Sequence, residues 1–152
     1  MTTATEKQER TIAQELEIVR RKGRGILRAE SVVEYARDPG TALHERFEWD
    51  DDKAAQEYRI WQARHLIRVM VTVLPQHKGE VRVYVSLGDD RQQEGGGYRT
   101  ISAVMADPEM RTAMLEEAAD DMRLFKVKYR VLTELADVFE AMDRAMQRDA
   151  AK

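Results

Sequence analysis

Residues 107–147 read DPEMRTAMLEEAADDMRLFKVKYRVLTELADVFEAMDRAMQ and contain no glycine and no proline after Pro108. Apolar side chains recur at spacings that alternate between three and four residues, which is typical of a helix with a coiled-coil seam. The residues on this line are Leu115, Ala118, Met122, Phe125, Tyr129, Leu132, Ala136 and Phe139. A second apolar line runs beside it through Leu124, Val131, Leu135, Val138 and Met142. We therefore predict one long helix with two apolar stripes, started by the capping sequence Asp107-Pro108-Glu109.

An uninterrupted helix of about 40 residues would span roughly 60 Å, which exceeds the width of a small domain. We predict that one stripe packs on the rest of the chain and the other on a second subunit, giving a homo-oligomer, specifically a dimer. The candidate oligomerisation residues are Leu115, Met122, Phe125, Tyr129, Leu132 and Phe139. The alternative is a helix that breaks near Phe125 and Lys126 and folds back as a hairpin, although no glycine or proline favours a turn there.

The composition restricts the class of protein. A chain of 152 residues suits one domain with a core of its own. The net charge of -3 gives no general attraction to nucleic acid or membranes, so such binding needs a local patch. The absence of cysteine excludes disulfides, thiolate metal sites and a cysteine nucleophile. No signal peptide and no apolar run of ~18 residues is present, so we expect a soluble cytoplasmic protein without a membrane partner.

The element order predicted from periodicity is α-α-α-α-β-β(-β)-α-α, which is an α+β fold that is mostly helical. The predicted helices span residues 6–22, 29–37, 41–47, 52–68 and 102–105, ahead of the long C-terminal helix. Predicted strands cover 69–74 and 81–86, with a further short strand at 98–101 and a mobile glycine-rich loop at 88–97. The inner face of the 52–68 helix is predicted to carry Ala54, Ala55, Tyr58, Trp61, Gln62, His65 and Leu66. The domain prediction is 1–24, 25–106 and 107–152.

The three helices over 29–68 and the hairpin after them resemble a winged helix-turn-helix, in which the third helix enters the DNA major groove. In this interpretation the third helix presents Lys53, Gln56, Arg59, Gln62 and Arg64 to DNA. A basic segment adds candidate phosphate contacts at Arg20, Arg21, Lys22, Arg24 and Arg28. Acidic residues 50–52 and Glu57 argue against it, because they would repel phosphates. The alternative is a helical cap on a small sheet, with the basic segment as a solvated linker.

Catalytic signatures are missing from the sequence. Glycines 95–97 lack the Lys-Ser/Thr pair of a phosphate-binding loop. His44, His65 and His77 have no partner at zinc-ligand spacing, and a helix cap explains the aspartates at 50–52 more simply than a cation site. We predict a protein that is not an enzyme and needs no metal or cofactor. An enzyme that uses the glycine-rich loop as a lid is a third alternative.

A resemblance adds a hypothesis about origin. The segment 38–51, together with Lys53-Ala54-Ala55, Tyr58-Arg59, 62–64, 66–68, 96–100 and Lys128-Tyr129, is similar to small proteins encoded by temperate bacteriophages and prophages. The similarity covers about residues 25–142, so residues 20–22 of the basic segment lie outside it. It implies a role in phage biology and a location in the cytoplasm of a bacterial host cell, and it supplies no activity or site residues.

These patterns lead to two alternative functions. The first is a phage-encoded DNA-binding accessory or regulatory protein that is dimeric through its C-terminal helix. The second is a non-enzymatic interaction or assembly module that binds a host or phage protein and no nucleic acid.

Overall fold

The computed structural model describes residues 10–49 and 53–150, which form two compact units, one up to Ala106 and one from Asp107. The fold is mostly helical α+β with a two-stranded hairpin and a long helix in the C-terminal part, as predicted from the sequence. The first helix belongs to the first unit and does not form a domain of its own. Within the described ranges, no helix is long and apolar enough to cross a lipid bilayer.

Helix α1, Ile12–Lys22, begins later than the predicted start at residue 6. Thr11 caps it, because its hydroxyl accepts from the backbone of Gln14 while the Gln14 side chain accepts from the backbone of Thr11. The left-handed conformation after the helix falls on Arg24 and Gly25, at φ 56° and 90°, while Gly23 at the end of the helix has φ -81°.

Helix α2, Ala29–Ala36, and a short 3-10 helix, His44–Arg46, follow α1. The buried Glu15 side chain ties α1 to the segment between them, because its carboxylate accepts from the backbone N–H groups of Ala42 and Leu43 at 3.0 and 2.9 Å. This carboxylate satisfies two donors that the core would otherwise leave without a partner. Around it, the core of this unit is formed mainly by Leu16, Val19, Val32, Val33, Ala36, Leu43 and Phe47.

Helix α3, Lys53–Val69, presents a different face to the core from the one predicted. Arg59, Ala63 and Ile67, spaced by four residues, are buried. Tyr58 and Trp61, which were predicted to face inward, are 50% and 53% exposed. The prediction was wrong because α3 uses a face that contains an arginine, whereas apolar periodicity favours the face that contains the aromatic rings.

The strands form two small antiparallel pairs. Strand β1, Val71–Val73, pairs with β2, Glu80–Arg82, as the predicted hairpin; β3, Tyr84–Val85, pairs with β4, Arg99–Thr100. Residues 88–97, between β3 and β4, were predicted to be a loop. The structure shows instead that they contain helix α4, Gly88–Gln92. The buried Asp90 anchors α4 by accepting from the backbone of Leu87 at 3.2 Å and from Arg99 on β4 at 2.8 Å. Helix α5, Ile101–Ala106, completes the unit.

The second unit is a helical hairpin, and the predicted uninterrupted helix over 107–147 is wrong. Helix α6, Pro108–Tyr129, starts as predicted with the Asp107 carboxylate accepting from the backbone of Glu109 and Met110. The chain leaves the helix at residues 130–132, passes through a 3-10 turn, Thr133–Leu135, and continues as α7, Ala136–Ala150. Folding back brings Lys126 Nζ within 2.6 Å of an Asp143 carboxylate oxygen.

We expect Glu15→Ala to lower the free energy of unfolding by about 3 kcal/mol, because one buried and one half-buried backbone donor lose their acceptor. Chemical denaturation followed by circular dichroism measures this change. Glu57→Ala, on the exposed side of α3, is the matched control and should change the stability by less than about 0.5 kcal/mol. Equal stability of the two variants would contradict the role assigned to Glu15.

Candidate functional site

The basic segment predicted as a phosphate contact is largely engaged with its own helix. Arg20 donates from Nε and Nη2 to the two carboxylate oxygens of Glu17 at 2.8 and 2.7 Å, and Arg21 donates to the same carboxylate at 3.0 Å. Hydrogen bonding to Arg20, assisted by Arg21, lowers the pKa of Glu17 from 4.5 to about 2. The same carboxylate raises the pKa of Arg20. Lys22 lies over the ring of Tyr35, 5.4 Å from its centroid.

The last two arginines of this segment lie apart from that cluster. Arg24, which follows α1 and has a left-handed backbone conformation, is exposed. Arg28, the residue before α2, is half-buried. The predicted segment is therefore not a row of free cations, since its first three members already have an anionic or aromatic partner within the same unit.

Most of the α3 residues predicted to face DNA are turned away from solvent or already bonded. Arg59 is 1% exposed, so the prediction that it faces DNA is wrong. Gln56 accepts hydrogen bonds from Arg37 and Arg59 at 3.3 and 3.4 Å. Gln62 is half-buried, and its side-chain oxygen meets no donor among the described residues. Lys53 begins the helix, but its side chain lies outside the described part, as do the three aspartates before it.

Arg64 is the predicted residue that the structure places in a site. It lines a cavity of about 570 Å³ together with Arg68, Arg82 and Arg91. Three elements contribute these side chains: α3 supplies Arg64 and Arg68 one turn apart, β2 ends at Arg82, and α4 supplies Arg91. Glycines 95–97 form another wall, and we call this site, with its four arginines, the arginine pocket.

The glycine turn of the pocket requires glycine for steric reasons. Gly95 and Gly96 have φ values of 77° and 64°, in the left-handed region that side chains disfavour. A Cβ on Gly97 would lie 2.6 Å from Cγ2 of Ile26. The next residue, Tyr98, forms two backbone hydrogen bonds of 2.8 Å with Leu27. This pairing holds the turn against the segment that leads into α2.

The chemistry of the arginine pocket suits an anion. The described residues that line it include no aspartate and no glutamate. The side chains of Arg64 and Arg82 form no hydrogen bond or ion pair with any residue in the described ranges. Arg68 donates to the backbone oxygen of Arg64 at 3.3 Å, and Arg91 donates to the backbone oxygen of Ser86. Guanidinium groups bind phosphate oxygens with two parallel donors, so the pocket can hold one or more phosphates.

Beside the pocket, the exposed face of α3 carries three stacked rings, which we call the aromatic ladder. Tyr58 and Trp61 have ring centroids 5.7 Å apart with planes inclined by 11°. Trp61 and His65 follow at 5.8 Å and 13°. Because Arg64 and Arg68 occur three and seven residues after Trp61, they lie on the same side of the helix as the ladder.

Sequence reasoning missed three members of the arginine pocket. Arg64 and Arg68 share a helix face at a spacing of four residues, and this was a signal that could have found Arg68. Arg82 and Arg91 come from other elements, and only the fold brings them to the same cavity.

The candidate oligomerisation residues divide into two groups. Phe139 is buried, and Phe125 contacts both Tyr129 and Phe139, with ring centroids 4.8 and 6.3 Å apart, so these rings form contacts inside the hairpin. Met122 is half-buried, whereas Leu115 and Leu132 are exposed. On the other stripe, Leu124 and Val138 are exposed and Val131 is 84% exposed. Hairpin formation therefore uses part of the first stripe and leaves most of the second uncovered.

Comparison with known proteins gives no match: no family model, no curated protein and no solved structure is similar to this chain at a significant level. The resemblance to proteins of temperate bacteriophages therefore stays a prediction from the sequence.

The Glu17 cluster makes stability depend on pH. Because the pKa of Glu17 is lowered from 4.5 to about 2 by folding, its bonds stabilise the protein fully above pH 4.5 and are lost as the pH falls towards 2. We expect Glu17→Gln to be less stable than the native protein at neutral pH. The difference should shrink as the pH falls through that window.

Urea denaturation at a series of pH values tests this expectation, with Glu57→Gln on α3 as the matched control. A stability difference between Glu17→Gln and the native protein that stays constant from neutral pH down to about pH 2 would contradict it.

Proposed function

We propose that the protein binds nucleic acid through the arginine pocket, as a DNA-binding accessory or regulatory protein that is not an enzyme. The observation that carries this proposal is the convergence of four arginines from three elements on one cavity with no carboxylate among its described lining residues. Phosphate contacts by arginine provide most of the sequence-independent affinity of nucleic-acid-binding proteins.

The pocket concentrates positive charge in a chain whose net charge is -3. A local field of this kind can attract a polyanion even when the whole molecule is weakly acidic. The arginines are held by packed elements, since Asp90 fixes α4 to Arg99 on β4 and the hairpin fixes Arg82 opposite Val71. Because the elements that carry the arginines are fixed, no backbone rearrangement is needed to bring these side chains to one cavity when phosphates bind.

The proposed contact also does not depend on the start of α3, where the acidic residues of the sequence would repel phosphates. A recognition helix reads bases with its first residues, whereas Arg64 and Arg68 lie in the last turns of α3. Arg64 follows Glu57 by seven residues, which corresponds to about 10 Å along a helix. The proposed contact therefore uses the C-terminal half of α3 and the β1–β2 hairpin, and not the N-terminal end of α3. A phage origin and a cytoplasmic location complete the proposal.

The proposal predicts that Arg64→Gln combined with Arg82→Gln weakens binding to duplex DNA by tenfold or more, since ~2 phosphate contacts are lost. The slope of log affinity against log salt should become shallower by about 2. Fluorescence anisotropy with a labelled duplex from about 50 to 200 mM salt measures both quantities.

A charge-matched control distinguishes the loss of pocket arginines from a general loss of positive charge. Arg111→Gln combined with Arg130→Gln removes the same charge from exposed positions in the second unit and should leave affinity nearly unchanged. The proposal fails if the native protein binds neither duplex nor single-stranded DNA at about 50 mM salt, or if the pocket variant and the control variant bind equally well.

Self-association through the C-terminal hairpin is a second candidate function, which would make the protein a dimeric interaction or assembly module. Leu124 and Val127 are each 68% exposed, and Phe139 is the only buried side chain among the described side chains of this unit. A helical hairpin with so little core of its own gains stability when a second copy covers its apolar face. Two such hairpins can form a four-helix bundle.

This second proposal predicts that Leu124→Asp combined with Val127→Asp converts a dimer into a monomer while the helical content is retained. Light scattering with size-exclusion chromatography measures the molecular mass, and circular dichroism measures the helix content. Glu116→Gln combined with Arg123→Gln, two other exposed positions of α6, is the control and should stay dimeric. A native protein that is monomeric at tens of micromolar would contradict the proposal.

A further inference from the structure

We infer that the nucleic acid bound by this protein is single-stranded, with unpaired bases stacked on the aromatic ladder while the phosphates lie in the arginine pocket. This inference rests on the proposed function and deepens it by naming the class of ligand. It follows from the ladder, the orientation of α3 and the positions of the neighbouring arginines.

The aromatic ladder is an ordered surface of three rings that the fold leaves exposed. Tyr58 and Trp61 are about half exposed, and His65 is also exposed. The three rings are close to parallel, with planes inclined by 11° and 13° between neighbours. Because the rings already stack on one another, an incoming base meets side chains that are held in place, and little rotamer freedom is lost on binding.

The ladder borders the cationic site along a single helix. Arg64 follows Trp61 by three residues, and Arg68 follows His65 by three. Residues at this spacing are neighbours on a helix surface, so each arginine side chain leaves α3 next to a ring. Both arginines line the pocket that Arg82 and Arg91 complete. A strand that lies along this surface can place its bases on the rings and its phosphates on the arginines, which is how sequence-tolerant single-strand binders work.

The same orientation of α3 disfavours reading of a duplex. In a duplex the flat faces of the bases are stacked on each other, and only their edges are accessible from the grooves. Two of the polar side chains of α3 that were predicted to face DNA are not available, since Arg59 is buried and Gln56 already accepts from two arginines. Aromatic rings recognise base faces, and those are exposed in unpaired strands.

Positive charge distinguishes this surface from a docking site for an apolar protein segment. A helix-binding or strand-binding site is lined mainly by apolar side chains, whereas this ladder continues into four arginines. Apart from the exposed carboxylate of Glu57, four residues before Trp61, both parts of the surface match a ligand that combines flat aromatic groups with repeated negative charges.

The experiment compares the affinity of the intact chain for single-stranded and duplex nucleic acid, and the effect of changing a ring of the ladder. Labelled oligothymidylate of about 15 nucleotides, the corresponding oligouridylate and a duplex of equal length are titrated at about 50 mM salt. We expect the native protein to prefer the single strands. Trp61→Ala should weaken single-strand binding about tenfold and change duplex binding less than about twofold, while Trp61→Phe keeps most of the affinity because it keeps a ring.

Intrinsic fluorescence gives an independent readout. The chain has two tryptophans, and Trp49 packs against Arg59 and His44 on the inner side of α3. Single-stranded DNA should therefore quench the emission of the native protein, and quenching should disappear in Trp61→Ala, where only Trp49 remains. Met105→Ala, an exposed apolar position on α5, is the control and should behave as the native protein.

The outcomes separate the two proposals. Equal single-strand affinity of Trp61→Ala and the native protein, or a native preference for duplex, overturns the inference. The proposed function survives that result if Arg64→Gln with Arg82→Gln still weakens binding. Absence of binding to all three probes at low salt overturns the proposed function and the inference together.

Discussion

The Arg59 guanidinium sets the rotation of α3 about its own axis. It is almost completely buried, donates to the backbone oxygen of Glu48 at 2.7 Å, and lies 5.2 Å from the ring centroid of Trp49. Trp49 in turn stacks on His44 and donates to the backbone oxygen of the same residue at 2.9 Å. A buried charge keeps its position only where hydrogen bonds and aromatic contacts replace its water. These contacts fix the face of α3 that enters the core.

The outer face of α3 follows from this constraint. Because Arg59 points inward with Ala63 and Ile67, the residues about half a turn away point outward, and these include Trp61, Arg64 and Arg68. The second half of the site depends on other contacts. The Asp90–Arg99 ion pair and the pairing of Leu27 with Tyr98 hold α4 and the glycine turn, which carry the remaining walls of the arginine pocket.

The sequence indicated most of the elements, but not helix α4, the break in the C-terminal helix or the orientation of α3. Capping at Asp107, the hairpin at 71–82 and the mostly helical class are set by local chemistry, and local patterns predicted them. Two faces of α3 fit a helical period, and apolar periodicity favoured the aromatic one because a buried arginine is rare. The Arg59 partners lie up to eleven residues away in the chain, so no local pattern reports them. The turn at 130–132 was missed for a similar reason: it contains no glycine or proline and is stabilised by contacts such as Lys126 with Asp143.

We propose that the outer face of α3 is a recognition surface whose orientation is set by Arg59. Nitrogen-correlated NMR of the two tryptophan indole N–H groups tests this most directly, since one tryptophan lies on each side of the helix. Titration with single-stranded oligothymidylate should shift the Trp61 indole resonance and leave that of Trp49 in place. Equal shifts of both resonances, or a shift of Trp49 alone, would contradict the assignment of the outer face of α3 as the recognition surface.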